Sequence, residues 1–322
     1  MSEFIKKDLV VELFPHCNLK CDFCFQRNLE EYKETKRKLD KRDYIERAKQ
    51  SIIENNIHPT NVELWGGELF YDNSLAYTKS MIDFIRFLNC KTLTISCNFV
   101  VNLEENTLFN YLVSKFNDNL IVYTSFDVEG RFKKQCQKDL FYHNLDYVHL
   151  ILPNHIIEVG VVLTNDLLTG KLDLTELRQL ANKKFVNIAT YLDYTGYCEE
   201  VTNNLGKYLV NFYEEFPEIR DFETLLDSSR PYSNNVCNCH QKENTFLSYT
   251  NNFEFNSNYT CLYRGKEDLV KKLQDVYHCN DCEYFDRCND VCCSALNNLK
   301  LLEIGSKCYK KELYERFVKQ QQ

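Results

Sequence analysis

Residues 8–24 read DLVVELFPHCNLKCDFC. An apolar, β-branched run from Asp8 to Phe14 leads straight into three cysteines, Cys17, Cys21 and Cys24, spaced Cys-x3-Cys-x2-Cys. A short strand that ends in chemically active residues is the pattern of a parallel sheet delivering a loop to its C-terminal face, where active sites gather. Outward from this stretch the strand signal recurs at NVELW (61–65), KTLTISC (91–97), LIVYTSF (120–126), IIEVGVVLT (156–164) and VNIATYL (186–192). Amphipathic helical stretches fall between. Residues 41–55 place Tyr44, Ile45, Ala48, Ile52 and Ile53 at helical spacing, and SLAYTKSMIDFIRFL (74–88) and TLFNYLVSKF (107–116) do the same.

Six βα units in succession predict an α/β chain with a parallel sheet and helices outside it. Six are fewer than the eight of a closed barrel, so the expected architecture is an open, partial (βα)6 TIM-like barrel, with a doubly wound sheet as the alternative. The alternation stops near Thr195. NNLGKYLVNFYEEF (203–216) reads as a helix, and from Ser233 the chain turns Asn-rich, Cys-rich and irregular before a helical KELYERFVKQ (311–320). The expected division is a barrel over 1–195, a helical connector over 196–232 and a Cys-rich domain over 233–322.

Composition narrows the function. The chain has 322 residues and a formal net charge of −8, with Lys and Arg scattered among acids and no basic block. That disfavours a nucleic-acid partner. The N-terminal apolar run is broken by Glu12 and is too short and charged for a signal peptide, and no stretch is long enough to span a bilayer. A soluble, cytoplasmic protein is expected. Sixteen cysteines are many for a reducing compartment. Metal or iron–sulfur ligation accounts for them better than disulfides or catalytic thiols.

Three thiolates can hold three corners of a [4Fe–4S] cube and leave the fourth iron open to another ligand. A structural zinc ion is the alternative, but it wants a fourth ligand close by, and His16 is adjacent to Cys17, which makes chelation awkward. Phe23 and Phe25 flank Cys24, where an aromatic can shield a cluster or stack on a base. At the end of the second strand come Gly66, Gly67 and Glu68. Paired glycines allow close approach of backbone to a ligand, and free carbonyls there can accept from an ammonium group. The third and fourth strands end in Ser96 and Asn98 and in Ser125 and Asp127. These are polar groups that can hold a ligand, or equally start turns and cap helices.

CNLKCDFC resembles the radical S-adenosylmethionine (SAM) signature, with Phe23 as its aromatic, and Gly66–Gly67–Glu68 resembles that superfamily's Gly-Gly-Glu motif one βα unit later. The resemblance implies a [4Fe–4S] cluster on Cys17, Cys21 and Cys24, with the open iron chelated by the amino and carboxylate groups of SAM. One electron then cleaves SAM to methionine and a 5′-deoxyadenosyl radical. It implies that Phe23, Gly66, Gly67, Glu68, Asn98, Ser125 and Asp127 bind the cofactor. Arg131 is a further candidate for the SAM carboxylate, though it fits the family pattern poorly. Val161 and Leu163 flank the adenine or belong to the core.

The C-terminal run CNDCEYFDRCNDVC places Cys279, Cys282, Cys288 and Cys292 at Cys-x2-Cys-x5-Cys-x3-Cys, with Cys237, Cys239 and Cys261 upstream and Cys308 downstream. Eight thiolates suffice for two clusters or for zinc knuckles. The array resembles a SPASM domain, the C-terminal extension of many radical SAM enzymes. That resemblance implies two auxiliary [4Fe–4S] clusters. Cys279, Cys282, Cys288 and Cys308 hold one; Cys261 and Cys292, with Cys239 and Cys237, hold the other. The family's Gly five residues before Cys261 is Asn256 here, and whether Cys237, Cys239 or both ligate stays open. Of the remaining cysteines, Cys90 and Cys136 read as helix positions, Cys293 adjoins Cys292, and Cys97 and Cys198 are candidate hydrogen donors to a radical or plain buried thiols.

The resemblance implies hydrogen abstraction from a peptide or protein substrate. The products would be a crosslink, thioether or other oxidative modification of a ribosomally made peptide. The alternative is a sulfatase-maturase-like or small-molecule oxidoreductase. An electron donor such as flavodoxin or ferredoxin is implied. The first motif begins at Cys17, which leaves no room ahead of it for a winged-helix recognition domain. A leader peptide then needs a separate binding protein or docks on the barrel or connector. Asp127, Tyr191 and Asp193 are candidates for a catalytic base, though each taken singly is better explained by the core or a cap.

Overall fold

The computed structural model describes residues 9–24, 26, 40–193, 196–219, 245–255, 275–284 and 308–319. Its first strand, β1 (Leu9–Glu12), has all four residues buried, as a strand covered on both faces should. Helix α1 (Lys41–Glu54) starts at Asp40, whose carboxylate accepts the Arg42 N–H and so satisfies one free donor of the first turn. It buries Tyr44, Ile45, Ala48 and Ile52; Ile53 falls off the buried face and is 53% exposed. Then follow β2 (Asn61–Trp65), α2 (Leu75–Leu88), β3 (Thr92–Ser96) and α3 (Thr107–Phe116), the last capped by Asn106, which accepts from the Phe109 N–H. β4 (Leu120–Phe126) and α4 (Gln135–Ile151) come next, then β5 (Ile157–Leu163), the short α5 (Asn165–Leu168), α6 (Thr175–Ala181) and β6 (Val186–Leu192).

All six expected strands form. A seventh, β7 (Thr245–Ser248), lies in the stretch that reads as irregular. The sheet order is β6-β5-β4-β3-β2-β1-β7. The pairs β1–β2, β2–β3, β3–β4 and β1–β7 are parallel, with Leu9 beside Thr245 and Glu12 beside Ser248. The result is the expected open α/β sheet with helices between its strands, not a closed barrel. Four residues are too few for alternation to show in a sequence. What makes β7 a strand is its pairing with β1 and the anchorage of the turn behind it. Ser51 Oγ of α1 donates to the Phe253 carbonyl at 2.6 Å, Arg47 hydrogen-bonds Asn252, and the Tyr44 and Tyr249 rings meet edge to face at 5.8 Å.

The chain divides into two compact units. One comprises Met1–Val159 and Gln241–Thr260; the other comprises Gly160–His240 and Cys261–Gln322. In the first, an aromatic cluster packs α4 onto the sheet, with Phe141 at 5.7 Å from Phe126, 6.0 Å from Phe99 and 5.4 Å from Phe132. In the second, α7 (Glu199–Asn203) and α8 (Leu205–Glu215) occupy the expected helical stretch. α9 (Tyr309–Leu313) continues into a π-helical turn over Tyr314–Val318. A Cβ on Gly206 would lie 1.9 Å from the Glu312 carboxylate, so a side chain there would displace the Glu312 side chain between α8 and α9. Among the described residues no helix is long and apolar enough to cross a membrane.

Candidate cofactor site

The site is built by the loops that follow β1, β2, β3 and β4, all within the first unit. β1 hands over to the cysteine loop through Leu13, whose N–H donates to the Trp65 carbonyl at 2.9 Å. The loop then lies directly on the turn that ends β2. The Glu68 N–H donates to the His16 carbonyl at 2.7 Å. Gly66 has φ +115°, and a Cβ there would sit 2.8 Å from the Phe14 carbonyl; on Gly67 a Cβ would sit 1.9 Å from the His16 carbonyl. The paired glycines are therefore required by backbone-to-backbone contact between the two loops. The His16 ring packs edge-on against Phe14 and Tyr44 at 5.9 and 6.1 Å. Close by, the buried Lys41 ammonium lies 4.8–5.3 Å from the rings of Tyr77, Phe14 and Tyr71 and 3.9 Å from Asp72.

Glu68 is fully buried, and its carboxylate holds the end of β3. Oε2 accepts the Asn98 N–H at 2.6 Å, Oε1 accepts the Phe70 N–H at 3.0 Å, and the Cys97 thiol donates to it as well. Burial raises the Glu68 pKa, with the two amides opposing the rise. Asn98 in turn shapes the next turn. Its Oδ1 accepts the Val100 N–H at 2.7 Å, and its Nδ2 donates to Asn18 Oδ1 at 2.6 Å and reaches Cys17 Sγ at 3.7 Å. Asn18 closes the circuit by donating to the Val100 carbonyl at 2.7 Å. The end of β4 adds a buried cation. Arg131, 4% exposed, donates to Ser125 Oγ at 3.2 Å and to the Asn98 carbonyl at 3.4 Å.

The cysteines sit within this frame. Cys21 is buried with Leu19 and Val100, and Phe23, Cys24 and Phe132 pack against that cluster. Asp22 anchors the loop's far side: its N–H donates to the Gly130 carbonyl at 3.4 Å and Lys133 donates to its carboxylate at 2.7 Å. Although part of Cys17 remains exposed, burial pushes its thiol up to about 11, opposed by the Leu19 amide and Arg131. Burial also raises Cys21, with Arg131 opposing and Asp127 reinforcing. Metal binding here must displace the thiol protons. A structural zinc ion takes four ligands at one point, and only three cysteines lie on this loop. A cube takes each thiolate on a different iron and so spreads its ligands further apart. Three thiols on one short, well-anchored loop suit that group.

The structure thus brings together Cys17, Cys21, Cys24, Phe23, Gly66, Gly67, Glu68, Asn98, Ser125, Asp127 and Arg131. Tyr191 and Asp193 lie in the second unit, where the Asp193 N–H donates to Tyr197 Oη at 2.9 Å. Val161 and Leu163 are fully buried. In that unit the Cys282 N–H donates to the Cys279 carbonyl at 3.0 Å. Cys237, Cys239, Cys261, Cys288 and Cys292 lie outside the described residues. Asn18, Glu12, Gln26 and Ser248 were missed from sequence. The one available signal was the charge of Glu12 inside an otherwise apolar strand.

No family model matches this chain, and no curated protein matches it. Solved structures do. That of tagged anSMEcpe with bound AdoMet aligns over 97% of this chain and 97% of that chain with a TM-score of 0.62 at 17% identity. The two chains share a fold. At that identity the likeness speaks to architecture alone. The crystal structure of Streptococcus suis SuiB bound to S-adenosylmethionine aligns over 75% of this chain and 56% of that chain with a TM-score of 0.42 at 14% identity, too slight a likeness to bear on the argument.

Proposed function

We propose that this chain is a radical SAM enzyme that abstracts a hydrogen atom from a peptide or protein substrate. The observation that carries the reading is the seating of the cysteine loop on the Gly66–Gly67–Glu68 turn, His16 carbonyl to Glu68 amide at 2.7 Å. The fold, shared with a structure that holds AdoMet, supports it. Bound to Cys17, Cys21 and Cys24, a [4Fe–4S] cluster would supply the electron that cleaves SAM. The residues of this chain do the rest. Gly66 and Gly67 offer backbone to the SAM amino group, and Asn98, Ser125, Asp127 and Arg131 are the polar groups for its carboxylate and ribose. Phe23, Phe132 and Val100 exclude water from the loop. Cys237, Cys239, Cys261, Cys279, Cys282, Cys288, Cys292 and Cys308 are assigned to two auxiliary clusters of a SPASM-type domain. We further assign the protein to the cytoplasm, with a flavodoxin or ferredoxin as reductant and, for a leader peptide, a separate binding protein.

The test is anaerobic reconstitution with iron and sulfide, followed by reduction in the presence of SAM. Deoxyadenosine should form with the wild type and not with C17A, C21A or C24A. If a small peptide is encoded beside this gene, co-expression should then lower that peptide's mass by two hydrogens, only with the cysteines intact. Deoxyadenosine without a change of mass or deuterium uptake in that peptide moves the assignment to a sulfatase-maturase-like or small-molecule oxidoreductase. Absence of deoxyadenosine overturns the reading.

A further inference from the structure

Glu12 is a carboxylate inside the sheet. It ends β1, none of its surface is exposed, and the three residues before it are aliphatic. Burying a carboxylate is costly unless its oxygens are hydrogen-bonded. Both are. Gln26 Nε2 donates to Oε1 at 2.8 Å, and Ser248 Oγ of β7 donates to Oε2 at 2.6 Å. Gln26 is 9% exposed, and its own Oε1 accepts the Gly67 N–H at 3.1 Å. Ser248 is fully buried and accepts the Thr250 N–H at 3.1 Å. A continuous hydrogen-bonded chain therefore runs from β7, through β1 and the end of the cysteine loop, to the paired glycines.

The chain has a direction set by chemistry. Glu12 accepts from the NH2 end of Gln26, which leaves the Gln26 carbonyl end to accept the Gly67 N–H. A neutral or apolar residue at position 12 would pack as well but would not fix which way the Gln26 amide faces. The Gly66–Gly67 turn, at φ +115° and +23°, rests on the cysteine-loop backbone, and the Gly67 N–H to Gln26 bond is its side-chain tether.

We propose that Glu12, Gln26 and Ser248 are positioning residues that hold the Gly66–Gly67 turn in its SAM-receiving conformation through the Gly67 amide. The proposal rests on the radical SAM reading for its ligand and on the hydrogen-bonded chain for its mechanism. Outer partners of this kind typically change affinity by roughly 10–100-fold when removed.

The experiment uses the full-length protein, purified and reconstituted anaerobically, as wild type, Q26L, S248A and S248T. Amide hydrogen exchange is read on peptides covering residues 65–70, and SAM affinity by equilibrium dialysis. Q26L and S248A should speed exchange at Gly67 and weaken SAM binding about tenfold, with iron per chain unchanged, while S248T, which keeps the hydroxyl, should restore both. Unchanged exchange at Gly67 in Q26L overturns the proposal. So does faster exchange with unaltered SAM affinity, since the hold would then be purely structural. A wild type that binds no SAM defeats the radical SAM reading instead. That failure is visible without any variant, and the exchange data still decide whether the chain grips the turn.

Discussion

Glu68 shows how a single residue can be both part of a motif and part of the scaffold. The resemblance to the Gly-Gly-Glu motif assigns it to cofactor binding; its oxygens are engaged by the amides of Phe70 and Asn98, so it also ties the end of β2 to the end of β3. Its folded-state pKa is raised above the ordinary 4.5, chiefly by burial. The folded protein therefore binds that proton more tightly than the unfolded chain does. Its contribution to stability is full below pH 4.5 and is lost as pH rises from there through the folded-state value. E68Q removes this titration. The stability of the wild type relative to E68Q should fall as pH rises across that window, measured by urea unfolding of the iron-free protein. A pH-independent difference would mean that the amides offset burial, and a difference that rises with pH would mean that they outweigh it. Asn98 carries a similar lesson. The sequence left it open between ligand and turn, and its Oδ1 is spent on the Val100 amide while its Nδ2 faces Asn18 and Cys17.

Elements were legible in proportion to their length and periodicity. β4 alternates buried and partly buried residues through all seven positions, and α2 repeats its buried face over 14 residues, so both stood out. β7 did not, because TFLS is too short to show a period and its stability comes from β1 and α1, far away in sequence. The cysteine loop was read correctly as the loop after β1, but its supports at Asn18 and Gln26 were invisible, since a polar residue in a loop has no distinguishing pattern. α4 makes the dependence of the loop on packing testable. Phe141 is fully buried among Phe99, Phe126, Phe132 and Tyr142, and Phe132 also lies against the Leu19–Cys21–Val100 cluster. F141A should cost about 3–5 kcal/mol in chemical denaturation. It should also reduce the iron retained per chain after reconstitution, because the cavity opens beneath the loop's apolar side. A loss below about 1 kcal/mol would show that the aromatic cluster collapses to fill the space.

At the scale of the molecule, a strand from beyond residue 240 belongs to the same compact unit as the cysteine loop. The N-terminal part is thus not a domain that the rest merely follows. A chain ended at His240 would lack β7 and leave β1 with an unpaired edge, although all four of its residues are buried in the full protein. Such a truncation should aggregate or lose its cooperative unfolding transition, where a barrel complete within its first six strands would remain soluble and fold. Sedimentation and thermal unfolding of the truncated chain distinguish the two.

The pairing of Glu12 with Ser248 spans 236 residues. Ribosomes add roughly 5–20 residues per second, so the cysteines emerge roughly 10–50 s before the strand that completes their support is made. The thiols of the nascent chain are thus synthesised first and secured last. Iron delivered during translation would meet an unfinished cradle, and oxidants would meet unprotected sulfur. On the radical SAM reading, a [4Fe–4S] cluster would find its finished loop only after residue 248 has been added.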